Sequence, residues 1–184
     1  MFHAFDRVAF AAAGGFEAVE LSPVNPLGLT SVLGSLDQNN VLSTLRSSEV
    51  VGDSTPVLAL ECARRRSGIS RSGSPPVRLC TSHRVVRLQP FDHPGFTPHF
   101  RLFAMVSAGR DSGSSEFEVQ ALTDHIRFYL RLFRGLPAEG FRVDDPLVEI
   151  SDVAISAALL GAASISAEMV REAVPGSTVS LAEG

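Results

Sequence analysis

The chain has 184 residues, 45 % hydrophobic and 20 % charged, with a net charge of −4; this is enough chain for one domain, or slightly more, around a sizeable core. The acidic balance argues against broad, non-specific binding to nucleic acid. All sixteen basic residues are Arg and none is Lys, which excludes P-loop nucleotide sites and lysine Schiff-base chemistry.

No apolar run reaches the roughly 18–20 residues that cross a bilayer. The N-terminus MFHAFDRVAFAAAGG carries Asp6 early and has no basic stretch, so no secretory signal is expected. Cys62 and Cys80 do not make a disulfide framework in a chain of this size. The reading is a soluble, cytoplasmic protein without a membrane partner.

In chain order, Phe2, Phe5, Ala9 and Ala12 recur at helical spacing and predict a helix over 2–13 that Gly14-Gly15 ends. FEAVELSPV reads as a strand closed by Pro23. Residues 25–40 read as loop with one turn of helix, and the periodicity of VLSTLRSSEVV leaves strand and helix open. Thr55 or Ser54 is the expected N-cap of PVLALECARRR, with Pro56 where helices tolerate proline. RRRSGISRSGSPP is a basic loop without periodicity, expected to be solvated.

From Pro76 to Gly109 two strand-like runs flank a Gly/Pro/His-rich turn, PVRLCTSHRVVR and FRLFAMVSAG. A helix capped by Ser114 or Ser115 follows over 116–133, with Leu122, Ile126, Tyr129 and Phe133 as its apolar stripe. Gly135 and Pro137 end it. PLVEISDV reads as a strand and SAALLGAASISAEMVREAV as one or two short helices. The order predicts an α+β fold, an antiparallel sheet flanked by helices.

The hairpin carries the chemistry. Arg87 leaves the first strand and Phe100 opens the second, so one guanidinium and one flat ring are expected to face a common space. A guanidinium bridges phosphate oxygens and a ring stacks on a base. Each residue also has an ordinary reading: an ion-paired strand Arg, a core Phe, a plain helix cap at Asp53-Ser54-Thr55, and a carboxylate at Glu118 favoured by the helix dipole. Cys80-x-x-His83 with Cys62 lacks the second pair of a structural zinc site, so no metal site is assigned. No G-x-S-x-G elbow occurs.

These segments resemble class II aminoacyl-tRNA synthetases. The N-terminal helix followed by Gly15-Phe16-Glu17-Ala18-Val19-Glu20-Leu21-Ser22-Pro23 is similar to motif 1. Val86-Arg87-Leu88-Gln89, the loop 90–98 and Phe100 are similar to motif 2. The stretch GDSTPVLALECARRR resembles the substrate loop and helix that precede motif 2 in prolyl, histidyl and pyrrolysyl enzymes. The similarity spans about residues 2–155, which implies a synthetase-like core over 1–155 and a C-terminal helical segment and tail over 156–184.

The resemblance implies binding of ATP, with Mg2+, and of an amino acid, and formation of an aminoacyl adenylate. Arg87 would hold the α-phosphate and stabilise the transition state, Gln89, His99 and Phe100 would complete the ATP site, and Phe100 would stack on adenine. Asp53, Ser54, Thr55 and Glu118 would line the amino-acid side. It also implies a homodimer through the N-terminal helix and strand, and a tRNA or a second subunit supplying motif 3. Gln89 stands where the family has glutamate, and Phe96 where many members have a cation for the γ-phosphate. Sliding the alignment by three makes His99 and Phe103 a second register. No motif 3 is recognisable; GAASISAEMVR, with Gly161 and Arg171, is the nearest segment and matches poorly. Those departures leave an alternative: a non-catalytic paralogue acting as an amino-acid-sensing regulatory subunit.

Overall fold

A computed structural model describes residues 2–67, 74–110, 113, 115–150 and 179–181. They form two compact units, one of Met1–Gly14 with Gly109–Gly184 and one of Gly15–Ala108.

The Gly15–Ala108 unit is built on the expected hairpin. Val77–Val86 (β4) and His99–Ala108 (β5) pair antiparallel over ten rungs, from Val77↔Ala108 to Val86↔His99. A two-residue strand, Glu17–Ala18 (β1), adds to β4 in parallel, giving the order β1-β4-β5. The sheet is therefore an antiparallel ribbon with a short parallel edge. Of the short strand expected in FEAVELSPV only these two residues join this ladder; the chain leaves it after Val19 donates to the Cys80 carbonyl at 2.9 Å.

Residues 25–40 are more ordered than their composition suggests. Val24–Pro26 (β2) pairs antiparallel with Ser48–Val50 (β3), so the ambiguous segment ends as strand, while its first half is irregular with one bridge, Ser43 to Glu49. Between them lie a short helix, Leu29–Leu33 (α2), and a 3-10 turn, Gln38–Asn40. The helix Ser54–Arg66 (α3) covers the β4–β5 ribbon. Its cap is Asp53, not Ser54 or Thr55: extended at φ −148°, Asp53 accepts from the Thr55 amide through Oδ1. A carboxylate there also gains from the helix dipole.

Leu58 and Cys62 of α3 pack on Leu79 of β4 and Ala104 of β5, with Val77, Val106 and Ala108 around them. These sheet residues share one face, as the two-residue period of a strand requires. Leu58 and Leu79 are fully buried, and each contributes roughly 1.5–3 kcal/mol by leaving water. Both cysteines are buried free thiols, and desolvation pushes Cys80 up to about 11.

In the other unit, Phe2–Ala12 (α1) packs on Glu116–Gly135 (α4). Ala9, Ala12 and Ala13 at the end of α1 are buried, as are Phe128, Leu132 and Leu136. Arg131 Nε donates to the Ala12 carbonyl at 2.9 Å and satisfies the end of α1. The expected stripe is therefore rotated: Leu122 and Tyr129 are 42 % and 51 % exposed. The run Phe128-Tyr129-Leu130-Arg131-Leu132-Phe133 is apolar on two faces, and α1 selects the one centred on Phe128. Ser115 stands at the N-cap of α4 in a left-handed conformation and makes no side-chain cap, while Ser114 lies outside the described residues. Val148–Ile150 (β6) pairs in parallel with Val179–Leu181 (β7). The helices expected between Ser156 and Val174, with Gly161 and Arg171, also lie outside the described residues.

Candidate functional site

The site grows from strand register. Arg87 continues β4 by one rung, its amide donating to the Pro98 carbonyl at 2.7 Å. Val85 faces Phe100 across the ladder. Because side chains alternate, Arg87, two residues after Val85, lies on the Phe100 face and diagonal to it. The guanidinium carbon sits 5.3 Å from the centre of the Phe100 ring, within cation–π range.

A second element orients the arginine. Gly52 lies where a Cβ would meet Leu36 Cδ2 at 2.7 Å and the Val86 carbonyl at 3.4 Å, so the chain before α3 runs tight against the end of β4. The Gly52 carbonyl then accepts from Arg87 Nε at 2.8 Å. Asp53 Oδ2 lies 3.6 Å from the terminal guanidinium nitrogen. One aspartate thus caps α3 and faces the arginine, whose side chain also borders an open side.

That open side is a cavity of about 420 Å³ walled by Arg87, Gln89, Phe91, Phe96, Thr97 and Phe100, a volume within the ordinary range for small-ligand sites. Phe91 and Phe96 stack at 6.2 Å, and the His93 ring meets Phe96 edge-on at 5.3 Å. Gln89 Oε1 is buried and accepts no hydrogen bond. Buried acceptors without partners are uncommon in native proteins, and Asn25 Oδ1, Thr30 Oγ1 and Ser54 Oγ share this state.

The structure therefore brings together Arg87, Gln89, Phe100 and Asp53. Thr55 is exposed beside them, and Ser54 is fully buried at the start of α3 with an unpartnered Oγ. His99 is not part of this group. It pairs with Val86 and so falls on the opposite face, with Nδ1 3.2 Å from an Arg84 terminal nitrogen. Phe103 pairs with Ser82 and shares that opposite face, so the slid register places its ring away from Arg87. Glu118 is exposed in the first turn of α4, in the other unit.

Many solved structures match, three of them with similar quality. An ATP phosphoribosyltransferase regulatory subunit/histidyl-tRNA synthetase from Bacillus halodurans is 15 % identical over 71 % of this chain and 33 % of its own, with a TM-score of 0.53. A pyrrolysyl-tRNA synthetase from Desulfitobacterium hafniense is 14 % identical over 71 % of this chain and 46 % of its own, TM-score 0.55. The pyrrolysyl enzyme PylSc from the same organism is 12 % identical over 83 % and 49 %, TM-score 0.57. The fold is class II synthetase-like. No family model and no curated protein matches the sequence. The chain spans between a third and a half of the length of those three structures.

Two other features of the synthetase-like fold stand apart from the cavity. A larger groove of about 490 Å³ runs between Leu21 and α3, and most of its charged side chains pair with one another. Glu61 binds Arg64 and Arg65, and Arg65 also binds Glu17. Those arginines hold the Glu61 carboxyl at about 2. The other feature is Glu49 on β3, fully buried yet charged. Its oxygens accept from the Gly28 and Thr30 amides and the Asn25 and Gln38 side chains at 2.8–3.0 Å. Burial alone would raise its pKa, but these donors outweigh it and hold the group at about 2. Sequence reading missed Glu49; its one signal was a charge inside the apolar run of SEVV.

Among the described residues no three His, Cys, Asp or Glu side chains converge as metal ligands. No described helix is long and apolar enough to cross a membrane.

Proposed function

We propose that this chain is a synthetase-like nucleotide- and amino-acid-binding core whose chemistry is adenylate formation. The carrying observation is the juxtaposition of Arg87 and Phe100 at 5.3 Å on the wall of one cavity. Phe100 would stack on adenine, and the buried Gln89 oxygen would accept from the exocyclic amine. Arg87, oriented by Gly52 and Asp53, would hold the α-phosphate. Asp53 is the carboxylate within reach of the substrate's ammonium, with Ser54 and Thr55 beside it.

In the reaction an oxygen of the amino-acid carboxylate bonds to the α-phosphorus, and pyrophosphate leaves with the electron pair of the broken P–O bond. The nucleophile is already anionic, so no protein base is required. Positioning and charge stabilisation do the work. The far end of ATP would be held by a partner subunit or by residues outside those described, and Glu118 and a homodimeric assembly belong to the same reading. His99, on the other face of the ribbon, would act only through a rearranged loop.

A second reading, an amino-acid-sensing regulatory subunit, is favoured by two residues: Gln89 is neutral where the family carries a carboxylate, and Phe96 replaces a phosphate-binding cation. Melting curves separate the two. An adenylate former shows a larger upshift with ATP and its amino acid together than the separate shifts would sum to; a sensor responds to the amino acid alone. Pyrophosphate exchange above background in the presence of one amino acid supports the first reading. Its absence with all twenty, beside a shift with one of them, selects the second.

A further inference from the structure

The charge balance of the cavity carries a conclusion about which nucleotide it holds. We propose that the Arg87–Phe100 cavity selects a nucleotide with a single phosphate over a triphosphate; this deepens, and rests on, the nucleotide reading above.

Four observations support it. Arg87 is already partly offset by Asp53 at 3.6 Å, so the pair offers little net positive charge. The loop that follows, LQPFDHPGFTPHF from Leu88 to Phe100, contains no arginine and adds Asp92. Its wall toward the cavity is the stacked pair Phe91 and Phe96, and His93 packs on Phe96 while its Nδ1 faces the Pro94 carbonyl at 3.0 Å. Finally, the remaining long polar side chain on the wall is Gln89, a neutral amide that adds no positive charge for further phosphates.

A phosphate entering a site must exchange its water for donors or cations of comparable strength. One phosphate group finds them in the guanidinium, which can bind it through two parallel N–H groups. Further phosphates would lie against the aromatic faces of Phe91 and Phe96, which carry negative charge density. An aminoacyl adenylate fits the same balance: its phosphodiester meets Arg87 and its ammonium meets Asp53, so each charge has an opposite. The cavity is shaped for a product-like nucleotide, and a triphosphate is held in it at an electrostatic disadvantage.

The experiment is isothermal titration of the full chain with AMP, ATP and adenosine, each with magnesium at pH 7.5. AMP is expected to bind at least tenfold more tightly than ATP, and more tightly than adenosine. ATP binding as tightly as AMP, or adenosine binding as tightly as AMP, overturns the inference and leaves the nucleotide site standing. Failure of all three ligands to bind removes the nucleotide reading itself. A gain-of-function variant, Phe96→Arg, closes the argument by putting a cation where the wall is apolar. The AMP-to-ATP preference is expected to fall several-fold because ATP binds better; an unaltered preference in the folded variant contradicts the charge account.

Discussion

Two polar clusters in the Gly15–Ala108 unit look alike in composition and behave as opposites. Around Glu49 both carboxylate oxygens have their donors, two backbone amides and two side-chain amides, in a fully buried setting. Around Arg87 the guanidinium has one backbone acceptor and a carboxylate at longer range, while the Gln89 oxygen near it has no donor. Asn25 Oδ1 and Thr30 Oγ1 also lack partners there, so the contrast lies in the carboxylate itself: a saturated Glu49 fixes backbone, while Arg87 on a cavity wall keeps bonding capacity for something else. The same distinction sets aside the larger groove on α3, whose Glu61, Arg64 and Arg65 saturate one another.

The comparison is broken most directly at Glu49. Glu49→Ala leaves four donors without an acceptor and is expected to cost about 3–5 kcal/mol of stability, read as a lower urea midpoint. A loss below about 1 kcal/mol would mean the cluster is not what joins β2, α2 and β3. At the open cluster, Arg87→Ala is expected to remove roughly 3–4 kcal/mol of transition-state stabilisation in pyrophosphate exchange while costing stability only about 1 kcal/mol for one hydrogen bond. Exchange at the parent rate would remove Arg87 from the chemistry.

Acid sharpens the contrast. Glu49 has a folded value of about 2 against an ordinary 4.5, so the unfolded chain takes up the proton first. Its contribution is whole above pH 4.5 and is lost as the pH falls toward 2, amounting to about 3 kcal/mol. Denaturant midpoints measured across that window should decline, and in Glu49→Gln the decline should be shallower. The smallest effect has the most telling sign. Gln89→Leu removes a buried acceptor that makes no bond, so stability is expected to hold or rise by up to about 1 kcal/mol, while the nucleotide-induced upshift shrinks. A variant that loses stability would show that Gln89 serves the fold.

What sequence reading reached follows from how local each signal was. The β4–β5 hairpin was legible because ten rungs of alternation repeat the same message, and parity alone carries Arg87 to the Phe100 face. Parity also explains His99: one residue away from Phe100, it is turned to the other side. The cap of α3 was misread because Asp, Ser and Thr all suit that position, and only the backbone angle chooses Asp53. The stripe on α4 was misread because Phe128 to Phe133 offers two apolar faces, and the choice depends on α1. Glu49 and the Phe91–Phe96 wall needed contacts between distant segments, which no local pattern announces. β1 is short because two residues are all that pair with β4 before the chain turns toward β2.

The central claim concerns Arg87 and Phe100 acting together on a nucleotide, and melting with and without AMP tests it in one pair of samples. At a concentration near a hundred times the dissociation constant, binding adds about 2.7 kcal/mol and raises the midpoint by several degrees. The account predicts that upshift in the parent chain and its loss in Phe100→Leu, which keeps an apolar side chain but removes the ring. An equal upshift in both proteins, or none in the parent, would contradict it.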